Sequence, residues 1–321
     1  MQGYKSVFSR DMRLLKVLKN PLILFAYFWV RSSKWIHNDI LYLKVLFFCK
    51  TLIVLRLKNP KRFTEKLQWL KIYYNRSVLH TQLVDKYRVR KFISQTIGDE
   101  FLFPLIGVWE RVDDIDLSLL PDQFVLKTNH DSGGIWICKN KASFKDKWPT
   151  YKEEIRKRLK SNYYLKGREY PYKNVEPCVI AEKYMVDESG IELKDYKFFC
   201  FNGEPQILFY ASERFAGKVT NFDFFDMNLN RIPMFAKGHP TTKKIKLNIP
   251  NYDKMVEIAK KLSSGFPHVR IDLYNINGQI YFGEFTFHHD GGFVPFYPKD
   301  WDIKMGNYIQ LPQIQSKMYK I

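Results

Sequence analysis

Apolar positions change period along this chain. Over 64–74, Leu67, Leu70 and Tyr74 recur at helical spacing behind Thr64. A second helix is predicted over 81–97 and ended by Gly98, and a charged helix over 151–164. Asn251 is placed to cap a helix carrying Met255, Ile258, Ala259 and Leu262. Elsewhere the pattern is that of strands. Phe124–Lys127, 135–138 and 178–181 are short apolar runs. Residues 195–201 turn at Asn202-Gly203 into a partner over 206–211, and a third hairpin spans 222–233, turning at 228–230. The clearest alternation is 269–287, around Asn277-Gly278. Helices first, mixed elements next and antiparallel hairpins last make an α+β chain, not a Rossmann alternation.

Two registers are open to the last hairpin. A two-residue loop pairs Asp272 with Gly283 and sends Asp272 and Glu284 to opposite faces. A three-residue loop, 276–278, pairs Asn275 with Gln279, sets Arg270 opposite Glu284 and turns every even-numbered residue one way. Apolar parity favours the second. One face then carries Arg270, Asp272, Glu284 and Thr286. Adjacent carboxylates need a cation between them, and an all-oxygen set suits Mg²⁺, which also takes substrate phosphates. Removing either carboxylate should relieve repulsion and spare the fold. The plainer account is a cross-strand Arg270–Glu284 ion pair on a solvated face.

A second stretch fits phosphate chemistry. The strand ending in Lys127 runs into Thr128-Asn129-His130-Asp131-Ser132-Gly133-Gly134 before the next strand returns. Glycine admits backbone N–H groups close to oxygen, and lysine adds a point charge. The stretch lacks the Gly-Lys-Ser/Thr ending of a Walker loop, and taken by itself a plain hairpin turn accounts for it better.

Composition narrows the field. A formal charge of +19 points to an anionic partner. No recognised nucleic-acid motif is present, so nucleic acid is not expected. Cys49, Cys138, Cys178 and Cys200 have no metal or redox spacing and read as buried thiols in a reducing compartment. Residues 1–60 stand apart. Their apolar runs over 21–30 and 41–57 are too short or too interrupted by Lys44, Lys50 and Arg56 to span a bilayer. Arg10, Arg13, Lys16 and Lys19 precede the first run without a small-residue cleavage site, which argues against secretion. Helices packed on the body and helices lying on an anionic membrane surface both remain open, with a cytoplasmic location in either case.

Taken in order, these pieces resemble the ATP-grasp superfamily. They are Asp85-Lys86-x-x-x-Arg90, Lys127 with its glycine loop, an apolar strand into Glu182-Lys183-Tyr184-Met185, Arg270-x-Asp272 and Glu284-x-Thr286. Thr64-Glu65-Lys66-Leu67-Gln68-Trp69-Leu70-Lys71, Leu126–Gly133, Asp195-Tyr196-Lys197-Phe198 and Gly283-Glu284-Phe285-Thr286 are similar to the TupA-like family of capsule, O-antigen and teichuronopeptide biosynthesis. The likeness covers about 40–300.

The resemblance implies two α+β subdomains with antiparallel sheets clasping ATP, behind N-terminal helices. The corresponding divisions are 1–60, 61–123, 124–190 and 191–321. It implies that Arg90 and Lys127 contact the nucleotide and that Asp131, Ser132, Gly133 and Gly134 form the phosphate flap. Glu182, Lys183, Tyr184 and Met185 form the adenine hinge, and Asp187 or Glu188 reaches the ribose. Lys197 and Arg270 steady the transferring phosphoryl group. Asp272, Glu284 and Thr286 hold Mg²⁺, with Thr286 replacing the usual asparagine. The implied activity is an ATP-dependent ligase joining an amino acid or amine to a uronic-acid carboxylate of a saccharide or lipid-linked precursor. His288, His289 and Asp290 line the acceptor pocket or form a polar loop. A glycosyltransferase of the same pathway and a non-catalytic polyanion-binding protein are the alternatives.

Overall fold

A computed structural model describes residues 21–187, 190, 193–212, 219–243 and 245–313. Two antiparallel sheets organise them. The first contains β1 (Leu105–Trp109), β2 (Phe124–Thr128), β3 (Ile135–Cys138) and β4 (Val179–Lys183), in the order β1-β4-β2-β3. The second contains β5 (Asp195–Phe201), β6 (Glu204–Ser212), β7 (Asn221–Phe225), β9 (His268–Ile276) and β10 (Gln279–Thr286), in the order β10-β9-β5-β6-β7. A small pair, β8 (Phe235–Ala236) with β11 (Phe296–Tyr297), lies beside them.

The helices fill three apolar cores. The pair α1 (Pro21–Arg31) and α2 (Asp39–Thr51) packs with α3 (Phe63–Tyr73) against Phe199, Phe209 and Phe224 of the second sheet. The short helices α4 (Val78–Val84) and α5 (Val89–Thr96) share the core on the sheet's other face, where Phe198, Leu208 and Ile271 point. The long helix α6 (Lys141–Leu159) closes the first sheet over Phe124, Leu126 and Val179. A short helix α7 (Tyr164–Gly167) follows it. Late in the chain, α8 (Tyr252–Ser263) buries Met255, Ile258 and Leu262 in the second core, and α9 (Asp300–Tyr308) packs on α3.

Several local expectations are corrected. The helix predicted over 81–97 is two helices. The Asp85 carboxylate accepts from the Tyr87 and Arg88 N–H groups at 2.9 and 3.2 Å and breaks the helix between them. The helix predicted from 151 begins ten residues earlier, where the Asn140 side chain accepts from Ser143 N–H at 3.0 Å. The hairpin over 222–233 has no return strand, only a bridge between Phe225 and Arg231, because Asp226 ties the turn to Asn228 and Asn230. Asn251 stands at the N-cap as expected, but its side chain makes no capping bond: its amide donates to Gly278 O at 2.7 Å. Residues 1–20, with Arg10, Arg13, Lys16 and Lys19, lie outside the described residues.

Candidate active site

The last hairpin has the two-residue turn. Asn277 and Gly278 take φ 52° and 87°, and Gln279 pairs with Ile276. The parity expected of a three-residue loop is restored by a bulge: Gly283 is an extra residue between Phe282, paired with Leu273, and Glu284, paired with Asp272. A Cβ at Gly283 would stand 2.8 Å from Asp272 O, so the bulge requires glycine. Even-numbered residues therefore do not all face one way. Ile280 and Phe282 join the core, while Tyr281 pairs with Tyr274 and stacks on Phe103 at 4.8 Å. After the bulge, Glu284 lies opposite Asp272, and Thr286, not Glu284, lies opposite Arg270.

This face holds a buried charge network. On the adjoining strand Lys197 lies opposite Asp272, and its ammonium donates to the Asp272 carboxylate. Arg270 grips the same carboxylate through Nε at 2.6 Å and Nη2 at 2.7 Å. Arg270 Nη2 also reaches Thr286 Oγ1 at 3.0 Å and Glu284 Oε1 at 3.3 Å. Its Nη1 donates to His289 Nδ1 at 2.6 Å; burial pulls that imidazole down to about 4 and keeps it an acceptor. Burial pushes the Asp272 carboxyl up, but Arg270 and Lys197 outweigh it and hold the pKa below the ordinary value. Glu284 goes the other way, raised by burial and by the Asp272 charge.

Glu284 is a carboxylate with an incomplete counter-charge, and its side chain is 23% exposed. With Asp272 and the Thr286 hydroxyl it offers an all-oxygen set. Among the described residues no group of three or more His, Cys, Asp or Glu converges on one point. The set fits Mg²⁺, which keeps several waters and takes phosphate oxygens. Arg270 Nη2 sits where the three donors meet, so a metal there requires the guanidinium to withdraw.

The first sheet contributes Lys127 and Glu182 to the cleft, and α5 contributes Arg90. Lys127 Nζ donates to Glu182 Oε2 at 2.5 Å, and Arg90 Nη1 lies 3.5 Å from Glu182 Oε1. Lys86, Arg90, Phe103, Lys127, Glu182 and Glu284 line one cavity between the sheets. Lys86 was hidden in the sequence inside an apparent helix face. The break at Asp85 turns its ammonium to Asp131 O. Burial first, and then the charges of Glu169, Glu284 and Asp131, raise the phenols of Tyr163 and Tyr172 above the ordinary value.

The flap is ordered around Thr128, whose N–H donates to Gly134 O at 3.0 Å. Gly133 takes φ 82°, and a Cβ on Gly134 would collide with Thr128 Oγ1. The Asp131 carboxylate turns away to Arg158 and Thr128, leaving Ser132 half of the loop toward solvent. In the hinge stretch the Glu182 side chain enters the cleft, whereas Lys183 and Tyr184 line an open depression on the outer side of the sheet. Met185 is half-buried. Asp187 is buried and lies 3.3 Å from Lys194 Nζ, and Glu188 lies outside the described residues. His288 and His289 are buried, and His288 Nε2 meets Asn75 Nδ2 at 3.0 Å. Asp290 is exposed.

The model of the family described as TupA-like ATPgrasp matches residues 65–310. No curated protein matches the sequence. Among solved structures the chain is similar to D-alanine–D-alanine ligase from Bacillus anthracis complexed with ATP, at 15% identity and TM-score 0.39, over 64% of this chain and 55% of that one. It is similar to D-alanine–D-alanine ligase from Helicobacter pylori at 13% identity and TM-score 0.38, over 78% and 70%. A RimK domain ATP-grasp protein from Sphaerobacter thermophilus aligns at 9% identity and TM-score 0.39, over 72% and 69%. The chain thus spans little more than half the length of the Bacillus ligase. The family match covers most of the chain, and the helices and antiparallel sheets agree with it: the chain belongs to the TupA-like family of ATP-grasp proteins.

Proposed function

We propose that the protein is an ATP- and Mg²⁺-dependent carboxylate–amine ligase acting through an acyl phosphate. The observation that carries this reading is the placement of Lys86, Arg90 and Lys127 across one cavity from Glu284, beside the Asp272–Arg270–Lys197 network. The two sheets serve as the two halves of the grasp. Lys127, Lys86 and Arg90 bind the triphosphate, and Ser132, Gly133 and Gly134 cover it. The backbone of 182–185 faces the adenine edge, with the ribose toward Asp187 and Glu188. Asp272 and Glu284, with Thr286 beside them, hold Mg²⁺, which supplies charge neutralisation for the phosphates.

A carboxylate oxygen of the substrate attacks the γ-phosphorus, and the bond to the β-γ bridging oxygen breaks to release ADP. The amine then adds to the acyl phosphate carbonyl, and phosphate leaves as the amide forms and the amine loses its proton. No protein nucleophile enters this sequence; the protein aligns anions and offsets their charge. Arg270 and Lys197 stand where charge builds on the transferring group, and His289 orients Arg270.

The family and the strongly basic chain support a uronic-acid carboxylate of a saccharide or lipid-linked precursor as acceptor, joined to an amino acid or amine in surface-polysaccharide assembly on the cytoplasmic side of a membrane. Assay of ADP and phosphate release over a panel of uronic-acid saccharides and amino acids tests the reading. Release of both products that requires Mg²⁺, a carboxylate and an amine together is the expected result. Release of AMP and pyrophosphate, or turnover of sugar nucleotides instead, overturns it.

A further inference from the structure

Helix α1 is apolar on every side. Its inner side is accounted for: Ala26 is buried, and Trp29 stacks on Tyr42 at 6.1 Å and donates to Tyr42 O at 3.2 Å. Its outer side is apolar as well. Ile23, Phe25, Tyr27 and Phe28 are 45%, 49%, 47% and 56% exposed, and Trp35 beyond the helix is 76% exposed. Half of the exposed large hydrophobic side chains among the described residues lie between 23 and 54. A helix apolar all round belongs in a core or in lipid, not in water. At eleven residues α1 is about 16 Å long, and no described helix is long and apolar enough to cross a membrane. Lying along a bilayer surface satisfies both facts.

Charge decides what kind of surface. Between 21 and 58 the basic residues are Arg31, Lys34, Lys44, Lys50, Arg56 and Lys58, all exposed, against one acid, Asp39. Asp39 is turned into the protein, where it accepts from Tyr164 Oη at 2.5 Å and lies 3.0 Å from Arg168 Nε and 3.8 Å from Arg76 Nη2. The charges that 21–58 leaves at the surface are therefore basic, with the Lys50 ammonium alone turned in over the Phe293 ring at 4.7 Å. Arg31 stands over the Tyr27 ring at 4.6 Å, so one cation is built into the face itself. A second copy of the chain would set these basic residues against their like. An anionic headgroup layer matches them.

We propose that the outer face of α1, with Trp35 and the exposed basic residues around it, seats the protein on an anionic phospholipid surface. The docking is part of the fold: Tyr42 Oη donates to Lys166 O at 3.0 Å, and Arg168 Nη2 donates to Ser33 O at 2.8 Å and Ile36 O at 2.6 Å, joining the hairpin to the segment that carries Tyr163 and Tyr172. This inference stands on the α1–α2 hairpin and not on the ligase reading.

The test is co-sedimentation of the full chain, without nucleotide, with vesicles of phosphatidylcholine alone or mixed with phosphatidylglycerol. Binding to the mixed vesicles that weakens with salt is expected, with little binding to phosphatidylcholine. Phe25→Ser/Phe28→Ser/Trp35→Ser should weaken partitioning at least about tenfold, and Arg31→Gln and Lys34→Gln about fivefold each. None of the five side chains is itself a buried core residue, though Phe25 stacks on Trp29 at 5.8 Å, and unchanged thermal unfolding checks that the cores survive. Absence of vesicle binding by the wild-type chain overturns the proposal. So does binding that the serine variant leaves unchanged, or a wild-type dimer that this variant dissociates.

Discussion

The two sheets carry their charges differently. In the second, Arg270 and Lys197 are buried and both bonded to the buried Asp272, fixed on two adjacent strands. In the first, Lys127 is 22% exposed and shares one carboxylate, Glu182, with Arg90 of α5, itself 19% exposed. One side is a network whose members are buried together; the other is a pair of part-exposed cations on one carboxylate. Substitutions on the two sides should therefore fail in different ways.

Asp272→Asn should have the largest effect. It leaves Arg270 and Lys197 buried without their shared counter-charge, a change that costs about 3–5 kcal/mol of stability. The repulsion argument made from the sequence is reversed here, because Asp272 is not half of a surface pair. Chemical denaturation should show the loss, and Mg²⁺ should not restore it. Glu284→Gln comes next. Its carboxyl is already raised by burial and by Asp272, so neutralising it should spare stability while turnover falls about 10²–10³-fold. Equal stability loss in both variants would erase the distinction between the network and its exposed member.

Lys127→Ala should reduce turnover about 10²-fold, chiefly by weakening nucleotide binding, since Lys86 and Arg90 remain in the same cavity. A fall in stability as large as that of Asp272→Asn would contradict the looser character of the first sheet. The smallest effect is a pH slope. Lys71 is buried, donates to Gly167 O at 2.9 Å and is pulled down to about 7 by burial, against the opposing charge of Glu169. Between about 7 and the ordinary lysine range the unfolded chain holds the extra proton, so stability rises with pH there and is lost as pH falls through the window. One such proton contributes about 1.4 kcal/mol per pH unit. Lys71→Met should remove that slope, read by urea unfolding at about pH 7.5 and 9.

Much of this was legible in the sequence because each signal was local. Lys127 lies one residue before the end of its strand, ahead of a small-residue loop, and Asp272 and Glu284 share a face as expected. The register that brings them together was not legible, because alternation cannot distinguish a longer turn from a two-residue turn plus a bulge at Gly283. Lys86 is quoted in the Asp85-Lys86-x-x-x-Arg90 motif but given no role there, because the Asp85 side chain, not a proline or glycine, breaks the helix. The 64–71 motif marked a family, but its role needed the fold. Thr64 donates to Asp302 at 2.9 Å, Lys66 to Ile309 O at 2.8 Å and Gln68 to Gly292 O at 2.7 Å, partners more than 200 residues away that tie α3 to the end of the chain.

The most direct test of the site is the affinity for ATP with and without Mg²⁺, measured by titration calorimetry on the wild-type chain and on Glu284→Gln. The expected result is that Mg²⁺ tightens ATP binding to the wild type and does nothing for the variant, which still binds free ATP through Lys127, Lys86 and Arg90. No binding of ATP by the wild-type chain, or an equal response to Mg²⁺ in both proteins, would contradict a nucleotide site built on Asp272 and Glu284.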